Sequence, residues 1–266
     1  EFQISWNKNK LIALNGTASS AIMGYAQWGS TLVSLSDTGE SLYSFYGYVT
    51  DGIYQDLADL QTSPKPVKYP ANGVFDGANT VYVGDIKYKD LNGDGVINEN
   101  DRTNIGSPMP KFTFGWNNTF TWKNWDASFF LRGQIGGKLL NNPRAAYGNN
   151  TYVAGANAMK GDDLMLLREN SRVSSYYLEN ASFARLDNMS IGYTFNTKKI
   201  DWLDKARIYV AAQNLFVITS YSGLDPEVEL FRGEASDTDA GLSPGIEPRN
   251  YMPKARSFTF GVNLSF

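Results

Sequence analysis

The sequence predicts an all-β fold, a transmembrane antiparallel β-barrel to which this chain supplies about six strands and several long extracellular loops. Three observations carry that expectation. Several segments alternate large apolar side chains with small uncharged ones, the period of a strand with one apolar face. Aromatic rings gather at particular strand ends, as they do where a barrel wall meets lipid headgroups. The connections between these segments alternate between long and short.

Along the chain, Phe2, Ile4 and Trp6 alternate with polar neighbours, so a strand runs over about 1–8. The sequence opens without Met and without a charged-then-apolar leader, so we expect a piece of a longer chain or a processed one. Over about 111–122, Phe112, Phe114, Trp116, Phe120 and Trp122 oppose Thr113, Gly115, Asn117, Thr119 and Thr121. After Lys123 and Asn124 the apolar face resumes as Trp125, Ala127, Phe129 and Leu131, opposed by Asp126, Ser128, Arg132 and Gln134. That spacing predicts a hairpin with a two-residue turn. A further strand over about 182–195 sets Met189, Ile191, Tyr193 and Phe195 against Asn188, Ser190, Gly192 and Thr194. Residues 206–218 place Ile208, Val210, Phe216 and Ile218 on one face. Tyr209, Leu215 and Val217 break that phase, which predicts a bulge near Gln213 and Asn214. The final strand, about 257–266, shows Phe258, Phe260, Val262, Leu264 and Phe266 against Ser257, Thr259, Gly261, Asn263 and Ser265.

These strands leave connections at 9–110, 123–124, 136–181, 196–205 and 219–256, long and short in strict alternation. Antiparallel strands turn at alternate ends, so the long connections share one side. Outer-membrane barrels have this asymmetry, with long external loops and short periplasmic turns. Phe120, Trp122, Trp125, Tyr193, Phe195, Trp202 and Phe266 fall on the short-turn side, where an interfacial girdle belongs. A soluble sandwich would bury the same stripes against a second sheet. Small Ser, Thr, Gly and Asn faces opposite large rings favour the lipid-facing wall. Six strands cannot close a membrane barrel, whose smallest type has about eight. The missing strands must come from elsewhere, because unpaired backbone groups are costly in lipid.

Composition narrows the function. The 266 residues are 14% aromatic and carry a formal net charge of −3, which argues against a nucleic-acid partner. Cys and His are absent, which removes thiol nucleophiles, disulfides, histidine bases and the commonest zinc ligands. No arrangement of nucleophile and base supports an enzyme.

One loop has the spacing of a calcium site. Asp90, Asn92 and Asp94 occupy positions 1, 3 and 5 of a twelve-residue loop, with Gly95 for the sharp turn. Val96 offers its carbonyl, Asn98 follows at position 9, and Asp101 closes the loop in place of the usual bidentate Glu. The competing reading is an ion-free turn, since Asn-Gly and Asp-Gly turn tightly unaided. Asp162 with Asp163, and Asp237 with Asp239, are spaced as paired carboxylates, but acids in such loops are usually solvated. Trp28, Tyr43, Phe45, Tyr46, Tyr147 and Tyr152 either stack on a ligand or pack the loops' own cores.

Several segments, taken together and in order, are familiar. They include Ser44-Phe45-Tyr46-Gly47-Tyr48 with Asp51-Gly52-Ile53-Tyr54-Gln55, and Gly84-Asp85-Ile86-Lys87-Tyr88-Lys89-Asp90 running into the Asn92-Gly93-Asp94-Gly95 loop. Further on stand Ile105-Gly106-Ser107-Pro108, Pro110-Lys111-Phe112, Ala184-Arg185-Leu186-Asp187-Asn188 and Gly192-Tyr193-Thr194-Phe195. Gln213-Asn214-Leu215-Phe216, Tyr221-Ser222-Gly223-Leu224-Asp225-Pro226-Glu227 and Pro253-Lys254-Ala255-Arg256-Ser257-Phe258 complete the set. Across residues 1–266 the chain resembles the C-terminal part of SusC/RagA-type TonB-dependent outer-membrane transporters. The resemblance implies a 22-stranded plugged barrel in a Gram-negative outer membrane, with these strands as its last six. It also implies import of oligosaccharides or peptides beneath a SusD-like surface lipoprotein, driven by the TonB system through an N-terminal part. Phe258, Phe260, Val262, Leu264 and Phe266 then look like the signal read by the barrel-assembly machinery. The alternative is a secreted, calcium-stabilised β-rich adhesin or glycan-binding module, which leaves the alternating connections unexplained.

Overall fold

The computed structural model describes residues 1–14, 22–26, 31–66, 81–148, 172–228, 244–248 and 251–266. Strand β1 (Phe2–Trp6) is followed by β2 (Ile22–Ala26), β3 (Thr31–Ser36), β4 (Ser44–Tyr48), β5 (Thr50–Ile53) and helix α1 (Leu57–Thr62). Then come β6 (Lys65–Pro66), β7 (Ile86–Tyr88), β8 (Val96–Ile97) and β9 (Arg102–Gly106). The hairpin β10 (Phe112–Trp122) and β11 (Trp125–Ile135) leads to β12 (Lys138–Leu140), helix α2 (Asn142–Tyr147) and β13 (Leu178–Asn180). The chain closes with β14 (Phe183–Phe195), β15 (Lys205–Thr219) and β16 (Ser257–Ser265).

The long strands form one six-stranded antiparallel sheet in the order β1-β10-β11-β14-β15-β16. Its members are the strands that the period-two pattern marks, and their joins again run long and short in turn. Strands β10 and β11 pair without interruption from Phe112 opposite Ile135 to Trp122 opposite Trp125. The intervening turn needs a left-handed residue, which Lys123 supplies at φ 53°. The Asn124 side chain donates to the Thr194 carbonyl at 2.8 Å, and the Thr194 N–H returns a bond to the Asn124 carbonyl. Those two bonds pin the turn to β14. The register slips between Leu186 and Asn188, opposite Asn214 at φ 50°, so the bulge expected near Gln213 and Asn214 is present.

The apolar stripe of this sheet is left uncovered. Phe260 is 79% exposed and Phe266 74%, and Phe258, Val262 and Leu264 are each more than half exposed. A soluble sandwich buries such a stripe, so that reading fails on this face. The opposite face approaches close packing at two glycines. A Cβ on Gly192 would lie 2.3 Å from the Arg207 guanidinium, and one on Gly261 would lie 2.2 Å from the Tyr209 ring. Both glycines pair directly with Tyr209, so bulky β15 side chains lie across neighbouring strands that carry none.

The long connections are folded rather than open. Strands β2, β3, β4 and β9 make a second antiparallel sheet, and smaller pairs flank it. Val33, Phe45, Tyr48, Ile86, Tyr88, Ile97, Leu140, Ala145, Val173, Tyr177 and Leu178 form one core. That core joins the first connection to the second. Parallel bridges from Tyr48 to Ser174 and from Leu140 to Ile246 tie in the second and third. Phe45, fully buried, therefore packs the cap rather than facing a ligand. Tyr46 lies under the Arg102 guanidinium at 4.9 Å, while Trp28 and Tyr152 lie outside the described residues.

Candidate functional site

Charged side chains on the inner face bind the cap to the wall. Arg132 on β11 reaches Asp187 of β14 at 3.2 Å and Glu227 at 2.5 Å. Arg185 on β14 meets Asp225 at 2.5 Å, with both side chains only 4% exposed. Lys254 adds a further ion pair to Glu227. Segment 220–228, where the third connection leaves β15, is thus clamped by two wall arginines. Burial pushes the Glu227 carboxyl up, but hydrogen bonds from Arg132 and Lys254 outweigh it and hold the group below its usual range.

The same segment is stitched to the rest of the cap. Glu247 is fully buried and accepts from the Tyr221 hydroxyl and from the Leu224 N–H at 3.0 Å. Its burial, reinforced by the charges of Glu179 and Asp225, raises its pKa despite those two bonds. Glu179 accepts from the Ser222 N–H and hydroxyl, both at 2.7 Å, and from the Asn141 amide at 3.0 Å. Nearer the short turns, Arg207 holds Asp126 through Nε at 2.8 Å and Nη2 at 2.5 Å. These groups position segments and carry no catalytic geometry. Asp162, Asp163, Asp237 and Asp239 lie outside the described residues.

The loop at 90–101 folds as a chain of side-chain-capped turns. Asp90 accepts from the N–H groups of Gly93 and Gly95 at 2.7 Å each. Asn92 accepts from the Asp94 N–H at 3.0 Å, and Asp94 from the Val96 N–H at 2.9 Å. Hydrogen bonds from the Asn92 amide, then the Val96 N–H, hold the Asp94 carboxyl below its usual range. Gly93 and Gly95 take φ of 77° and 82°, which a side chain would resist. Asp101 is fully buried, and its two oxygens accept from Leu91 and Asn98 N–H groups at 2.9 and 2.8 Å. Asn98 answers it in a reciprocal cap of the 3-10 turn Glu99–Asp101. Among the described residues, no three acidic side chains are grouped so as to hold a metal ion.

The aromatic residues assigned to the short-turn side do assemble there. Trp125 and Tyr193 meet edge to face at 4.9 Å, Tyr193 and Phe195 at 5.0 Å, and Trp202 stacks on Phe266 at 5.8 Å. Arg132 lies on the inward face that its alternation marks, but its partners Asp187 and Glu227 lie too far along the chain for that alternation to reveal. An arginine in a stripe with Asp126, Ser128 and Gln134, with acids in Asp225-Pro226-Glu227, was the available signal.

No protein-family model matches the chain. Over its full length it is 31% identical to TonB-dependent receptor P3 of Formosa agariphila, of which it spans 26%. It is 28% identical to TonB-dependent receptor SusC of Bacteroides thetaiotaomicron, of which it spans 24%. Its whole length also superposes on the RagAB peptide transporter, with a TM-score of 0.67 and 21% identity over 26% of that chain. The chain is homologous to the C-terminal part of SusC/RagA-type TonB-dependent receptors. It spans about a quarter of the length of the relatives it matches. Receptors of this type sit in the Gram-negative outer membrane, and the six-stranded sheet is part of such a receptor's barrel. The homology displaces the secreted adhesin alternative.

Proposed function

We propose that this chain forms the last six strands and the outer rim of a TonB-dependent transporter that imports oligosaccharides or peptides. Its occluding partner on the cell surface is a SusD-like lipoprotein. The plug, the coupling to TonB and the remaining strands come from the part of the receptor that precedes it. Phe258, Phe260, Val262, Leu264 and Phe266 present the stripe read during barrel assembly. One observation supports this reading above the others. In a sheet with an open edge at β1 and another at β16, every long connection leaves one end and the aromatic belt lines the other. Once further strands pair with the two edges, lipid accommodates that arrangement of apolar wall and aromatic belt, and water does not.

The chain has no Cys, so single cysteines report topology cleanly within it. In cells carrying the intact receptor, Asp51→Cys should react with a membrane-impermeant maleimide. Lys199→Cys should react only after the outer membrane is permeabilised, and the reverse pattern would overturn the orientation. A strain lacking the receptor should lose growth on limiting oligosaccharide or on limiting peptide. Undiminished growth on both would overturn the transport role.

For the 90–101 loop we propose calcium, on its donor set of hard oxygens alone: Asp90, Asn92, Asp94, the Val96 carbonyl, Asn98 and Asp101. These oxygens must regroup around the ion from the N–H groups that the carboxylates now cap. Calorimetry with millimolar calcium should show binding heat that an Asp90→Ala, Asp94→Ala double variant lacks. Equal heats from the two proteins would remove the ion.

A further inference from the structure

The outward face of the sheet carries a concave feature beside the aromatic belt. A groove of about 540 Å³ runs across β14, β15 and β16. Its walls are Trp125, Ile191, Tyr193, Ile208, Val210, Phe260 and Val262. Backbone at Gly192, Tyr209 and Gly261 lines its floor. The hollow lies between outward rows of side chains set two residues apart along each strand. Gly192, Tyr209 and Gly261 point their side-chain directions to the inner face, so they offer only backbone to the groove.

The turns beyond Trp125 and Tyr193, at the short-turn end, carry cations. Trp125 pairs with Trp122, and the Lys123 ammonium lies 5.0 Å from the Trp122 ring. Five and six residues beyond Tyr193 come Lys198 and Lys199, both exposed. Neither ammonium has a carboxylate partner among the described residues, although Asp201 and Asp204 share their turn. Lys205 lies on the inward face with Arg207 and Tyr209 and is not one of these cations. An apolar trough, an aromatic rim and ammonium groups without a carboxylate partner among the described residues thus follow one another toward the short turns.

We infer that this groove is a binding site for one anionic glycerophospholipid of the periplasmic leaflet. An acyl chain lies across Ile191, Val210 and Phe260, and the headgroup phosphate lies against Lys123, Lys198 and Lys199. A zwitterionic headgroup fills the groove equally well but gains less from unpaired lysines. The belt residues Trp125 and Tyr193 mark the depth of the glycerol backbone. This inference rests on the orientation given under the proposed function.

Native mass spectrometry of the intact receptor in detergent tests it with dioleoyl phosphatidylglycerol, dioleoyl phosphatidylethanolamine and inorganic phosphate as probes. The phosphatidylglycerol adduct should be preferred, and inorganic phosphate should not displace it. In Lys123→Gln, Lys198→Gln, Lys199→Gln the preference should fall, by up to about fivefold per lysine. Val210→Trp should weaken both lipids together. Equal retention of the two lipids, displacement by phosphate, or an unchanged preference in the lysine variant would overturn the site. Labelling of Lys199→Cys in intact cells would instead overturn the orientation itself, so the two failures are told apart.

Discussion

Arg185→Met is expected to destabilise the assembled receptor by about 3–5 kcal/mol, because it leaves the Asp225 carboxylate buried without its partner. Both side chains are 4% exposed, and the guanidinium also approaches Glu227 at 3.5 Å. Water cannot reach Asp225 to replace the lost pair. Denaturant titration of the refolded receptor, read by heat-modifiable mobility, measures the loss. The double variant Arg185→Met, Asp225→Leu should recover most of it, since two well-packed apolar groups replace an ion pair at little cost. If the single variant is as stable as the parent, the wall does not hold segment 220–228. If the double variant is no better than the single, the cost lies in packing rather than charge.

Val262→Arg should cost roughly 2–4 kcal/mol if the stripe faces lipid near mid-bilayer. Val262 is 64% exposed and stands opposite Ile208 on the outward face. It lies four residues before Phe266, which at about 3.3 Å per residue and a tilt of about 40° puts it about 10 Å above the belt. An arginine there meets hydrocarbon. The matched control is Thr259→Arg, on the inward face opposite Ala211. Asn263 is a poorer control, because its cross-strand partner is already Arg207. Folding into vesicles should fail or slow for Val262→Arg and stay near the parent for Thr259→Arg. Equal behaviour of the two would reverse the facing of β16.

The strands were legible because their signal is local. Side chains alternate across a strand at a period of two, so Phe258, Phe260, Val262 and Leu264 reveal both a strand and its faces without any partner. The bulge was legible for the same reason, as a break in phase at Leu215 and Val217 opposite a left-handed Asn214. The long connections gave no comparable signal. Strands such as β6 and β8 are two residues long, too short for any periodicity, and exist because each segment finds a distant neighbour. Phe45 shows the consequence. Its sequence context allows a ligand-stacking ring as readily as a core ring, and burial among Val33, Leu140 and Tyr177 decides for the core.

The calcium-like loop divides along the same line. Its spacing announces tight Asx turns, and Asp90, Asn92 and Asp94 form them with neighbours two to five residues away. The burial of Asp101, committed to the N–H groups of Leu91 and Asn98, depends on how the loop sits against the cap.

By itself, then, the sequence determined which residues form the wall, which face is apolar and which end carries the aromatic belt. Each of these follows from neighbours a few residues apart. Only the tertiary structure decided that the long connections fold into a shared cap, that Arg132 and Arg185 clamp it, and that an outward groove opens over Gly192 and Gly261. Those features join residues tens of positions apart, such as Arg185 with Asp225 and Arg132 with Glu227. A charge or a glycine carries no mark of its partner until the sheet brings them together.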